Sequence, residues 1–383
     1  MPLEGELAVH LSWDGHHVQQ VTLRSSRPLA AARVLESKRP DEVVAVVPLL
    51  FSICGGAQRA AAMGALTAAG APAPSCGAVG DEQTVILETV QEYFWRLLID
   101  WPEAMGRQPL AAPVGAVRRR IAAMPLGPSD VLPEENETAM KELGTALESL
   151  ATQDIYGVSP AAWLSLGDTD ALQAWVERGA TLPAMLLGEL LQEMPEVGRS
   201  NVALMPPTAP DTLIATVVPA MGEPQFARTP TWNGVPVETG ALARMCSQPV
   251  VAAQAARHGN AVATRMVARL AELATLLQEL TSGRHAEQAP ARIQALALAP
   301  GDGVSAVQTA RGLLLHRARL ADGRVTDYRI VAPTEWNFHP EGPLVRGLCG
   351  LAADDETALR QRARVAAQAL DPCVACRIEV GHA

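Results

Sequence analysis

The sequence predicts an α+β fold: a mainly helical body with small antiparallel β-hairpins near both ends of the chain. Three observations carry that expectation. Leu7, Val9, Leu11 and Trp13 recur at every second position before Asp14-Gly15, and a second alternating pair of runs, 312–320 and 325–331, flanks Asp322-Gly323; a period of two across an Asp-Gly pair marks a hairpin. Between the hairpins, apolar residues mostly return at three- and four-residue intervals, the period of a helix. Alanine and leucine dominate, whereas there are only 4 phenylalanines and 3 tyrosines, which favours helix packing over an aromatic-rich sheet.

In chain order, residues 7–23 form the first hairpin. Residues 80–101 place Ile86, Val90, Tyr93 or Phe94, and Leu97 on one helical face, with Pro102 as the expected stop. Shorter amphipathic helices are expected over 134–150, 160–176 and 183–192, the last two with proline at the start, where its missing N–H costs nothing. The longest helical pattern spans 250–280, with Val262, Met266, Leu270, Leu273, Leu277 and Leu280 as a stripe that faces core. The proline-rich stretches 126–133 and 205–210 read as loops. The expected organisation is one domain over 1–383: the N-terminal hairpin and the Cys54 segment in 1–80, a helical body in 81–300, and the C-terminal hairpin with the last cysteines in 301–383.

A chain of 383 residues buries a substantial core. Its formal charge of −10 argues against a nucleic-acid partner, which needs a basic face. No window reaches the apolar length of a membrane span, and no signal peptide is visible at Met1-Pro2-Leu3-Glu4, so no membrane partner is expected. Six cysteines without an export signal fit a cytoplasmic protein with free or metal-bound thiols. Cys76, Cys246 and Cys349 stand outside any motif and read as ordinary thiols.

Cys373 and Cys376, in Leu370-Asp371-Pro372-Cys373-Val374-Ala375-Cys376, have metal-ligand spacing, because a turn between them points both sulfurs one way. Spacing alone leaves three readings open: half of a metal site, a redox dithiol, or an ordinary pair of thiols. Zinc would need two further ligands, and no second such motif exists. Near the other end, Phe51-Ser52-Ile53-Cys54-Gly55-Gly56-Ala57 looks like half of a matching pair, with alanine in place of its second thiol.

Taken together, these segments resemble the two cysteine motifs of the nickel–iron hydrogenase large subunit. Leu3-Glu4-Gly5 resembles that subunit's start. Residues 231–244 (Thr-Trp-Asn-Gly-Val-Pro-Val-Glu-Thr-Gly-Ala-Leu-Ala-Arg) are similar to its Y-x-G-x-P-x-E-x-G-P-L-A-R segment. Ala310-Arg311-Gly312 through Pro333-Thr334-Glu335-Trp336-Asn337 resembles its P-R-G to P-T-T-W-N block. The matches keep the family's order along nearly the whole chain.

The resemblance implies a large-subunit-like fold around an iron carrying carbonyl and cyanide ligands. It places Cys376 at a bridging thiolate that touches iron, and Cys54 and Cys373 at terminal nickel ligands. Arg311 would donate to one cyanide nitrogen, Pro333 and Thr334 would serve the second, and Asp371 would orient Arg311. Glu4 matches a proton-transfer glutamate and is expected to be structural. The departures are as informative. Ala57 replaces the other bridging cysteine and Ala61 a histidine; Gln308 and Ala310 depart from the usual E-A-P-R-G. Glu379 stands for the terminal histidine, with His382 displaced by three, and the sequence stops at Ala383, without the tail that maturation removes.

This combination is similar to the hydrogenase expression/formation proteins of the HupK/HoxV type. That resemblance implies a cytoplasmic, non-catalytic scaffold. It would take a transient Fe(CN)2(CO) unit from a HypC/HypD-type assembly complex and deliver it, without nickel, to the apo large subunit. Two alternatives stay open: a divergent catalytic large subunit, and a metal-free protein that binds maturation partners.

Overall fold

A computed structural model describes residues 5–26, 29–51, 54–72, 78–124, 133–207, 210–223, 225–282 and 291–382. Glu4, Ser52, Ile53, Cys76 and most of the loop expected at 126–133 lie outside them. The first hairpin forms as its pattern requires, β1 (Glu6–Trp13) against β2 (Val18–Ser25), with Gly15 in the left-handed region at φ +98° in the turn. Helices α1 (Pro40–Leu50) and α2 (Gly55–Ala68) follow, then α3 (Ala78–Trp95). Pro102 does not stop this last run. Helix α3 passes through a π-helical turn, Arg96–Asp100, into α4 (Trp101–Ala104), where Pro102 occupies the first turn and needs no N–H partner.

The helical body continues with α5 (Ala111–Ala122), α6 (Pro133–Ala151), α7 (Pro160–Leu164), α8 (Thr169–Arg178) and α9 (Leu182–Glu193). The pattern over 160–176 is thus two helices. Asp168 ends the first segment by capping the next, its carboxylate accepting from Ala171 N at 2.8 Å. Short strands β3 (Ala203–Leu204) and β4 (Val237–Glu238) pair in parallel and bracket α10 (Pro210–Thr216). After α11 (Ala241–Met245), the long pattern at 250–280 is also split, into α12 (Pro249–His258) and α13 (Val262–Ser282), by Gly259 at φ +60°.

The second hairpin, β7 (Gly312–Ala321) with β8 (Arg324–Val331), belongs to a larger antiparallel sheet. Its order is β5-β6-β7-β8, with β5 (Ile293–Ala299) and β6 (Asp302–Thr309) on its near side. Helices α14 (Pro333–Asn337), α15 (Pro343–Leu348) and α16 (Glu356–Ala369) lead to β9 (Ala375–His382). Strand β9 lies parallel to β1, with Leu7 opposite Cys376, so the first sheet is three-stranded and joins the two ends of the chain.

Two packing features position the site. Helix α2 lies close on the β5–β8 sheet because small residues line the contact. Ala57, Ala60 and Ala61 pack with Val307 and Leu314, and a Cβ on Gly303 would sit 2.3 Å from Ala65 O. Helix α13 is buried nearly all round rather than along one stripe, and its charged residues tie distant segments together. Arg265 holds Glu238 at 2.8 Å, Arg269 holds Asp371 at 2.6 Å, and Glu272 accepts from Arg244 at 2.6 Å. No helix among the described residues is long and apolar enough to cross a membrane.

Candidate functional site

Cys54 is the N-cap of α2, and Cys373 precedes β9 in the turn after α16. Burial, helped by Glu88 and Cys373, pushes the Cys54 thiol up to about 12 against the pull of Arg311 and a hydrogen bond from Gln58. Gln58 Nε2 donates to Cys54 Sγ over 3.6 Å, a length normal for sulfur. Cys373 Sγ meets Thr334 Oγ1 at 3.5 Å. Thr334 is in α14, which opens at Pro333, so the helix starts where the family-like block places its hydroxyl residue.

Arg311 precedes β7 and is buried. Its Nη2 donates to Glu92 on α3 at 2.5 Å, whereas its Nε is a buried donor without an acceptor among the described atoms. Backbone contacts among the three family-like segments fix its position. Asn337 Nδ2 donates to Arg311 O at 3.4 Å and to Thr239 O at 3.1 Å, and Thr239 Oγ1 accepts from Leu313 N at 3.0 Å. Gly312 makes this closeness possible: it holds φ +123°, and a Cβ there would sit 2.3 Å from Thr239 Cγ2.

Asp371 does not pair with Arg311. Its carboxylate binds Arg269 at 2.6 Å and lies 3.3 Å from Arg96 Nε, because α13 and α3 bring both guanidiniums to the turn it occupies. Its link to Arg311 is indirect, running through Arg96 to Glu92 at 2.8 Å and on to Arg311. Burial opposes the charge on Arg96, yet Asp371, Glu92 and Asp100 together hold its pKa above the ordinary value.

Cys376 is held differently. One position into β9, it packs half-buried with Ile378 and Val380 against the main apolar core, and burial pushes its thiol up to about 12. Once β9 pairs with β1, the strand rather than the Cys-x-x-Cys turn sets the direction of this side chain. Among the described residues, no three His, Cys, Asp or Glu side chains converge as a metal cage. The chain's own packing therefore brings Cys54 within electrostatic reach of Cys373 and leaves Cys376 on the neighbouring strand. Glu379 contacts His10 at 2.5 Å on the sheet's other face, and His382 lies beside Trp13. Cys246 and Cys349 are exposed.

Two site groups, Gln58 and Glu88, carry no motif. Glu88 accepts from Gly56 N at 2.7 Å and Ala57 N at 3.3 Å, so a carboxylate closes the N-terminus of α2 beside Cys54. Burial raises its pKa to about 7 against the pull of the two N–H groups and Arg311. Glu88, Glu92, Arg96 and Asp100 recur every fourth residue on an otherwise apolar helical run, the sequence signal that locates them.

The residues present suit a soft metal with diatomic ligands: two thiols within electrostatic reach of each other, a hydroxyl on one of them, and a buried guanidinium N–H without an acceptor among the described residues. The family profile described as nickel-dependent hydrogenase matches residues 249–379. A variant of the nickel–iron–selenium hydrogenase from Desulfovibrio vulgaris Hildenborough superimposes with a TM-score of 0.56, covering 94% of this chain and 93% of that one at 16% identity. That of Desulfomicrobium baculatum gives 0.54, covering 94% of each at 17% identity. The fold is therefore that of the nickel–iron hydrogenase large subunits.

Within that class, hydrogenase expression/formation protein HupV of Azotobacter chroococcum is 31% identical with full coverage of both chains, as is HupK of Azotobacter vinelandii. HoxV of Cupriavidus necator is 29% identical over 93% of this chain and 92% of its own. The chain belongs to this HupK/HoxV family of hydrogenase expression/formation proteins.

Proposed function

We propose that the chain is a cytoplasmic maturation scaffold rather than an oxidoreductase. Its cargo is an Fe(CN)2(CO) unit, received from a HypC/HypD-type complex and passed to the apo large subunit without nickel. The observation that carries this reading is the grouping of Cys54, Cys373 and Thr334 with the unpartnered Nε of Arg311, next to Ala57, which offers no thiolate. Three diatomic ligands leave three positions on iron, and in this reading Cys376, with Cys54 or Cys373, fills two of them. Arg311 and Thr334 donate to the cyanide nitrogens. A site short of one thiolate suits a carrier, since a recipient offering the full set outcompetes it.

The test is infrared spectroscopy of anaerobically purified protein co-produced with the maturation machinery. Carbonyl and cyanide bands, with iron and without nickel, are expected, and Cys376→Ser should abolish them. Folded, reduced protein without bands would favour a metal-free assembly factor; stoichiometric nickel would favour a catalytic subunit.

A further inference from the structure

Behind Cys54, a line of buried polar side chains runs through the mostly apolar layer between α2 and the β5–β8 sheet. Gln58 stands one helical turn after Cys54 on α2, and its amide bridges two partners: Nε2 donates to Cys54 Sγ at 3.6 Å, while Oε1 meets His316 Nε2 at 2.9 Å. His316 Nδ1 then meets Tyr328 Oη at 2.8 Å. Gln58, His316 and Tyr328 are all buried. His316 and Tyr328 sit diagonally across the β7–β8 ladder, on the face that receives α2.

The chemistry of these groups fixes the direction of the line. An amide oxygen only accepts, so His316 Nε2 carries the proton. Burial without a carboxylate partner keeps the ring neutral, so Nδ1 is an acceptor and the Tyr328 hydroxyl donates to it. Every hydrogen bond thus points the same way, from Tyr328 through His316 and Gln58 to the sulfur.

We infer that Gln58 is a positioning residue for the Cys54 thiolate, with its amide orientation locked by His316 and Tyr328. This rests on the reading of Cys54 as a ligand to the iron cargo. A hydrogen bond to a ligating sulfur withdraws electron density from it, so Cys54 donates less strongly to iron than an unsupported thiolate would. Such a ligand is the one most readily given up on transfer.

Two measurements on the full chain test this. In the loaded protein, Gln58→Met keeps the side chain's volume but removes the donor, so iron becomes more electron-rich and the carbonyl stretch shifts to lower wavenumber. Tyr328→Phe leaves the Gln58 bond in place and should give a smaller shift in the same direction. In iron-free protein, the nitrogen-15 spectrum of His316 should show the Nε2–H tautomer. Unshifted carbonyl bands in folded Gln58→Met, or an Nδ1–H tautomer, would overturn the inference. Wild-type protein without carbonyl bands would sink the iron-carrier reading instead, and the tautomer would then decide the relay by itself.

Discussion

Where Arg311, Thr334 and Asp371 enter the site, the chain is held by charges and hydrogen bonds; around Ala57 and Ala61, where α2 enters it, the packing is by small apolar side chains. On the first side, Arg96, Arg269, Glu92 and Asp371 form a buried network that reaches Arg311. On the second, Ala57 and Ala61 are fully buried among Val85, Val307 and Leu314. In the proposed reading, the first side carries the residues that would meet an iron with diatomic ligands. The second has buried alanines, Ala57 and Ala61, where the family resemblance places a thiol and an imidazole. Buried charge is justified where it orients a group for a ligand, since packing alone provides stability more cheaply.

The sharpest way to break this contrast is at Asp371, whose loss takes from Arg269 its carboxylate partner and leaves Arg96 to Glu92 and Asp100. Asparagine tolerates the residue's φ of +54°, so Asp371→Asn tests charge without adding backbone strain. Breaking one partner of a buried pair costs about 3–5 kcal/mol. The exposed pair Glu356–Arg360 is the control, and Glu356→Gln should cost about 0–1 kcal/mol in the same denaturant titration. Equal losses in the two variants would mean that the network around Asp371 is ordinary surface electrostatics.

Glu88 joins the two sides, and its effect depends on pH. Its pKa rises from 4.5 to about 7 in the folded state. Between those values the folded chain keeps a proton that the unfolded chain has lost, so stability falls as pH rises through this window and is level above it. The loss is about 3 kcal/mol, because each tenfold gain in proton affinity is worth about 1.4 kcal/mol. Glu88→Gln should remove the dependence and be the more stable protein at pH 8 but not at pH 4. Parallel urea curves for the two proteins across that range would contradict the assignment.

The same contrast governs what the sequence discloses. Hairpins were legible from Asp14-Gly15 and Asp322-Gly323 because their chemistry is local. Strand β9 was not, since Ala375–His382 acquires its role only by pairing with β1 at the other end of the chain. Motif resemblance singles out Arg311, Thr334 and the cysteines, and the structure brings Thr334 to Cys373. The partners of Asp371 were not legible, because Arg96 and Arg269 come from two helices whose apolar stripes dominate the pattern. Glu88 and Gln58 lack a motif altogether, and their meaning depends on the close approach of α2 to α3 and to the sheet.

The smallest expected effect concerns the apolar side. If Ala57 belongs to core, restoring the missing thiol by Ala57→Cys forces a sulfur against Val85, Val307 and Leu314. Overpacking of this kind costs about 1–3 kcal/mol. If Ala57 instead faced free space, Ala57→Cys would be neutral, because the backbone N–H that Glu88 binds is unchanged. A measured loss, together with wild-type nickel content, would mean that the packing of α2 has closed the position to a fourth ligand, so that one substitution does not reverse the change. A neutral variant that takes up nickel would mean that the two sides differ only in one sulfur atom.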